Sequence, residues 1–136
     1  MKQVKGTVNR VELIGWLGNA PEQRTLPSGV VVCSFNVATK RLGGRNDAGE
    51  RTFETEWTLV EAWDRLAERC GRALHKGSRV RVSGSLHTRS WEDRETGQRH
   101  YKTVVRAEDV MYLDARPEAQ DDEADAVEEA VEELPF

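Results

Sequence analysis

An all-β fold, a five-stranded Greek-key barrel carrying one short helix, is the architecture this sequence predicts, on three observations. Five segments read as strands by alternation or by runs of β-branched residues. The one stretch with helical spacing lies between the third and fourth of them. After Arg116 the chain changes character, with nine acidic residues and no Lys or Arg. The order β-β-β-α-β-β suits a closed barrel of this kind. An open α+β sheet would use the same elements in the same order, and order alone does not separate the two.

The first strand is "VNRVELIGWL", residues 8–17, with Gly15 marking a bend or bulge. "LPSGV" (26–30) is a tight turn into the strongly β-prone "VVVCSFNVATK" (30–40), whose Val31, Cys33, Phe35 and Val37 share the expected core face. Residues 41–52, "RLGGRNDAGERT", hold three glycines and three arginines without an apolar pattern, and read as a long flexible loop. "TEWTLVEAW" (55–63) is the third strand. In "DRLAERCGRAL" (64–74), Leu66, Ala67, Cys70, Ala73 and Leu74 fall on one side of a helix, with Asp64 as N-cap and Gly77 as stop. "SRVRVSGSLHTRSW" (78–91) is a long fourth strand, with Val80, Val82, Gly84 and Leu86 facing inward. "HYKTVVRAEDVMYL" (100–113) is the fifth, and 90–102 form the tip of a long hairpin.

The chain has 136 residues, which suits one domain (1–116) and an appendage (117–136). Its net charge of −4 averages two unlike regions. Nine acidic residues and no Lys or Arg follow Arg116. Residues 1–116 therefore hold all 20 basic residues against fifteen acidic ones, a net of +5. A basic body with an acidic end points to a polyanion ligand, or to a tail that engages something basic.

The fourth strand carries the main chemical signal. Its outward face has Arg79, Arg81, His87, Arg89 and Trp91. Arginines neutralise phosphates, and an exposed indole stacks on a base only where the strand is unpaired. The plainer account is a solvated strand face with one surface Trp. On the third strand Trp57 and Trp63 share a face by spacing, either as core aromatics or as stacking surfaces. Arg65 follows Trp63, and Lys40, Arg41, Arg45 and Arg51 lie nearby in the chain, so cations and aromatics interleave a second time. Trp16 fits a core, an interface or a platform equally.

Catalytic signatures are absent from the sequence. It contains no phosphate-binding GxxxxGK[ST] loop, no GxSxG elbow and no HxE with CxxC. Cys33 and Cys70 are far apart, and His75, His87 and His100 match no ligand spacing. The expectation is a binder that is not an enzyme, with no cofactor and no metal. No apolar run has membrane-spanning length, and "MKQVKGTVNR" lacks a signal-peptide core, so a cytoplasmic protein without membrane partners is expected.

The segments "VNRVELIGWLGNAPEQR", "FNVAT", "TEW", "LAE", "KGSRVRVSGSL" and "TRSW", with the terminal "LPF", resemble bacterial single-stranded DNA-binding proteins of the replication type. The resemblance spans about residues 8–113 and resumes at the last few. It implies an oligonucleotide-binding barrel, assembled as a homotetramer, that binds single-stranded DNA. It implies stacking by Trp57 and Trp91, and by Trp63 where the family commonly has phenylalanine. Arg65, Lys76 and Arg89 match phosphate-contacting positions, and Arg10 and Arg24 match commonly basic ones. The sequence departs at Gly43, where well-studied members have a further stacking tryptophan, so Arg41 and Arg45 are expected to make electrostatic contact there. It departs also at His87, at Trp16 and in its near-absent linker. Rival binders are an RNA-binding or cold-shock-like barrel, and an assembly subunit acting through protein contact alone.

Residues 117–133 are acidic, without aromatics, and could not bury enough surface to fold alone, so a disordered tail is expected. Its end is different. Phe136 offers a ring and a terminal carboxylate together, after Glu132, Glu133, Leu134 and Pro135. An apolar pocket with a basic rim would take both. The resemblance implies that such tips recruit replication, repair and recombination proteins.

Overall fold

The computed structural model describes residues 4–114. The acidic tail and its Glu132–Phe136 tip lie outside the described residues, as does the boundary drawn at 116. Six strands and one helix follow in the order β1 (Val11–Leu17), β2 (Glu22–Thr25), β3 (Val31–Arg45), β4 (Arg51–Trp63), α1 (Asp64–Ala73), β5 (Arg79–Glu92) and β6 (Arg99–Tyr112). The hydrogen-bonded order is β1-β5-β6-β4-β3-β2, with an added pairing of β1 to β3.

That added pairing decides between barrel and open sheet. Trp16 lies opposite Ala38 and Leu17 opposite Val37, which joins the ends of the series β1-β5-β6-β4-β3. β1 thus spends its early residues on β5 (Val11 to Trp16 against Gly84 to Arg79) and its last on β3. The changeover depends on Gly15. A Cβ there would stand 2.1 Å from the carbonyl oxygen of Ala38, closer than any side chain tolerates. The expected bend at Gly15 is this close approach of two backbones.

The ring is filled by the alternating inward residues of its strands. Cys33, Phe35, Val37, Val60, Ala62, Val80, Val82 and Val105 are almost wholly buried. Helix α1 packs against this core with Ala67 and Cys70, followed by Leu74, while Leu66 is half-buried beside them. Its start differs from expectation. Trp63 is the N-cap, in extended conformation and without a side-chain cap bond, and Asp64 is the first helical residue with φ of 57°. Asp is among the few residues that adopt this left-handed geometry readily, and its charge suits the helix N-terminus. The helix ends at Ala73, and Gly77 (φ 90°) serves the following turn, where its N–H donates to Leu17 O at 2.9 Å.

Three further expectations are corrected. A short β2 pairs with β3 from Glu22 opposite Ser34 to Thr25 opposite Val31; four exposed polar residues gave no apolar signal for it. The stretch 41–52 is not a loop. β3 and β4 stay paired out to Arg45 and Arg51, leaving 46–50 as the turn. Backbone pairing continues there without buried side chains, which hydrophobic patterning cannot reveal. Leu86 is 49% exposed and not inward-packed. β5 has by then left the barrel, and Asn9 instead clasps the Leu86 backbone, donating to its carbonyl at 3.0 Å and accepting from its N–H at 2.8 Å.

β4 and β6 pair in parallel only at Val60–Val105 and Glu61–Arg106. Beyond that point the β3–β4 and β5–β6 hairpins continue as two arms whose tips point the same way, because the two strands run parallel.

Two outcomes follow for stability. Gly15→Ala forces the β1–β3 closure apart and costs about 1–3 kcal/mol, read as a lower urea midpoint at unchanged m-value. Burial pushes the Cys33 thiol up, and pushes Cys70 up to about 12, where neighbouring Cys33 adds to the rise and Arg69 opposes it. The unfolded thiols ionise near ~8.5. Stability is therefore full below that pH, and falls as pH rises from there towards about 12, because only the unfolded state releases its protons. Urea titrations at pH 7, 8.5 and 10 should show a shallower decline for a Cys33→Ala/Cys70→Ala variant than for wild type.

Candidate nucleic-acid interface

Residues opposite one another on paired strands share a face, and alternate residues along a strand return to it. On β4 the inward set is Thr58, Val60 and Ala62, so Trp57, Leu59, Glu61 and Trp63 point outward. On β6 the partners of that outer face are Lys102, Val104 and Arg106; on β5 they are His87, Arg89 and Trp91. Ser34 and Asn36 of β3 complete it, and β2 adds Glu22 and Arg24 at its border.

Two adjoining grooves, of about 360 and 300 Å³, run across this face and share Leu59, Lys102 and Val104. Trp57 borders one and Trp91 the other, with Arg24, Arg89 and Lys102 between or beside them. Trp57 is 59% exposed, and its ring lies against Gly18, where a Cβ would meet Cζ3 at 2.1 Å. A glycine is thus the seat of that indole. Trp91, 49% exposed, stacks on His100 of β6 with centroids 5.6 Å apart and planes at 25°. His100 Nε2 in turn lies 3.9 Å from an Asp93 carboxylate oxygen. Both indoles are held on one side and open on the other, which is the geometry a stacking platform requires.

The cations divide into groups. Arg24 and Arg89 line the groove, and Lys40 is half-buried on the Trp57 side of β3. Arg89 is held by Glu61 at 2.7 Å, a carboxylate only 6% exposed beneath it. Other expected phosphate contacts are spoken for by acids or lie elsewhere. Arg41 sits on the far face of its hairpin, 2.7 Å from Glu54 and 2.9 Å from Glu56. Arg81 is paired with Glu12 across β1 and β5. The Arg79 guanidinium lies over Trp16, 5.9 Å from the ring centroid, while its backbone N–H donates to Asp114 Oδ1 at 2.9 Å. That contact makes Trp16 part of the β1–β5 surface. Arg65 lines a separate groove between α1 and β6 together with Arg69, Arg72, Glu108 and Asp109, where Arg69 lies 3.6 Å from Asp109. Lys76 is exposed in the turn after α1, Arg10 is exposed ahead of β1, and Arg45 is at the β3–β4 tip, donating to Gly49 O at 2.8 Å.

Trp63 shares the outer face but differs from the other two. It is half-buried, and the Arg106 guanidinium covers its ring at 4.8 Å. Among the described residues its indole N–H has no acceptor.

Sequence reasoning passed over Lys102, Arg106 and His100. The signal was present in "HYKTVVRAEDV", where His100, Lys102, Val104 and Arg106 alternate as the fourth strand does. The register Trp91–His100 and Arg89–Lys102 shows that the two alternating faces are one surface. No group of three or more His, Cys, Asp or Glu able to hold a metal ion occurs among the described residues. Among them, too, no helix is long and apolar enough to cross a membrane.

Residues 8–113 match the family described as the single-strand binding protein family. The chain is 41% identical over 109 residues to single-stranded DNA-binding protein 1 of Chlorobaculum tepidum, covering 80% of this chain and 67% of that relative. Its fold is similar to that of a Plasmodium falciparum SSB solved in complex with single-stranded DNA. There the TM-score is 0.70 and the identity 29%, over 82% of this chain and all of the other. The oligonucleotide-binding barrel expected from the sequence is the fold observed.

The Glu61–Arg89 pair yields a test of the groove's construction. Arg89→Met removes the cation from a buried carboxylate and lowers unfolding free energy by about 1–3 kcal/mol. The Glu61→Gln/Arg89→Met double variant, compared by urea denaturation, recovers most of that loss.

Proposed function

We propose that this chain, which belongs to the single-strand binding protein family, binds and protects single-stranded DNA without strong sequence preference during replication, repair and recombination. The observation that carries this reading is the pair of half-open indoles, Trp57 and Trp91, flanking a groove that also holds Arg24, Arg89 and Lys102. Duplex bases are already stacked on one another and offer no free face to an indole, so the surface selects unpaired strands. Stacking and phosphate neutralisation read no base edges, hence the tolerance of sequence. The likeness to an SSB whose solved complex contains single-stranded DNA supports the same ligand.

The protein acts by binding and carries out no reaction. It works as a homotetramer in the cytoplasm, associated with the nucleoid. Its acidic end, residues 117–136, serves as a second module. Glu132 and Glu133 steer the approach, and Leu134, Pro135 and Phe136 enter a partner's apolar, basic-rimmed pocket. Partners read this way are replication, repair and recombination proteins.

A titration of tryptophan emission with poly(dT) and with duplex DNA at several salt concentrations tests the central claim. Poly(dT) quenches strongly and its affinity falls steeply with salt, while duplex binds far more weakly. Trp57→Ala and Trp91→Ala each weaken binding by about 1–3 kcal/mol. Truncation after Arg116 leaves the quenching intact. Equal affinity for duplex and single strand would refute the reading.

A further inference from the structure

The β3–β4 hairpin separates its two faces by charge more sharply than a solvated arm requires. On the face shared with Trp57, successive rows moving away from the barrel pair Trp57 with Ala38, Thr55 with Lys40, Phe53 with Leu42, and Arg51 with Arg45. The register shift between Leu42 and Arg45 brings Arg45 back onto this face. These rows hold three cations, two aromatics and no carboxylate. On the opposite face Arg41 is neutralised by Glu54 and Glu56, at 2.7 and 2.9 Å. Acids and aromatics are thus sorted to opposite sides of a two-stranded ribbon.

Phe53 stands out within these rows. It is 39% exposed, whereas the barrel's own Phe35 is wholly buried. It sits four residues before Trp57 on the same face of β4, about 13 Å away at the usual strand rise. That is about four rises of a stacked nucleic-acid strand, and fewer of an extended one. The cations fall before and after it. Lys40 lies one row towards Trp57, and Arg45 and Arg51 one row towards the tip. Two arginines directly opposite one another repel, which costs hairpin stability unless something anionic lies across them.

We propose that Phe53 is a further base-stacking residue, and that the single strand continues from Trp57 along this face of the hairpin, its phosphates met by Lys40, Arg45 and Arg51. The proposal rests on the single-strand reading above and adds the Phe53 ring and Arg51 to an arm where the sequence led only to an expectation of electrostatic contact by Arg41 and Arg45. The plainer role for Phe53 is a cross-strand contact with Leu42 that only stiffens the hairpin. A leucine at position 53 preserves that contact and removes the ring.

The experiment compares poly(dT) binding to the full-length wild type and to Phe53→Ala, Phe53→Leu, Phe53→Trp and Arg51→Ala, with thermal unfolding alongside. Phe53→Ala and Phe53→Leu are expected to weaken binding about five- to a hundred-fold. Their salt dependence stays unchanged, because no charge is lost. Arg51→Ala flattens the slope of log affinity against log salt by about 0.7. Phe53→Trp binds as wild type does and adds an indole that poly(dT) quenches. Wild-type affinity in Phe53→Leu, or an indole at 53 left unquenched while the native tryptophans are quenched, overturns the proposal alone. A wild type that poly(dT) does not quench overturns the single-strand reading as well.

Discussion

The structure depends on one close approach of two backbones, β1 against β3 at Gly15 and Ala38. With no side chain at 15, Trp16 and Leu17 reach Ala38 and Val37, and five strands become a ring. A closed ring has no free edge where strands meet, and it gives Phe35, Val37, Val60 and Val82 a common interior. It also fixes which residues face outward. Trp57, Arg89, Trp91 and Lys102 come from three strands, and they form one surface only because those strands are locked in register around the ring. Were β1 to slip away from β3, the interior would open and the outer face would lose its common curvature.

Charge on this molecule is organised by pairing. The body's net positive charge is not a general coat, because some of its arginines are held by nearby acids: Arg41 by Glu54 and Glu56, Arg81 by Glu12, Arg89 by Glu61. Such exposed pairs add little stability. Their effect is to decide where positive potential remains. Arg24, Arg89 and Lys102 line the groove between Trp57 and Trp91, while Arg41 and Arg81 are engaged by carboxylates away from it. Glu61 is the exception to exposure. Being nearly buried, it orients the Arg89 guanidinium at the groove and is not a mere counter-charge.

Much of this was legible in the chain because strands write their faces into sequence with period two. "VVCSFNV" predicts a buried row and the structure has one; "RVRVSG" does the same at Val80 and Val82. Trp91 was readable as an exposed aromatic because arginines share its strand face, whereas spacing alone left Trp57 between core and surface. Features supported by backbone alone were less legible. β2 and the outer part of the β3–β4 hairpin bury almost nothing, so no apolar signal marks them. Leu86 had the right parity for the core but lies past the point where the barrel ends. Asp64 looked like a helix cap and is instead the first helical residue, since Trp63, still extended, holds the cap position.

By itself the sequence determined the order of five strands, most of their inward rows, the place of the helix, the aromatic and basic residue types of the site, and the split between a basic body and an acidic end. All of these are local, set by periodicity, composition and turn chemistry. Tertiary structure alone decided closure, since a carbonyl must pass within reach of Gly15. It alone decided which basic residues meet a neighbouring carboxylate, because Arg41 and Lys40 are adjacent in the chain but lie on opposite faces of one ribbon. Charge pairing depends on distances across strands, and a linear pattern does not contain those distances until the register is set.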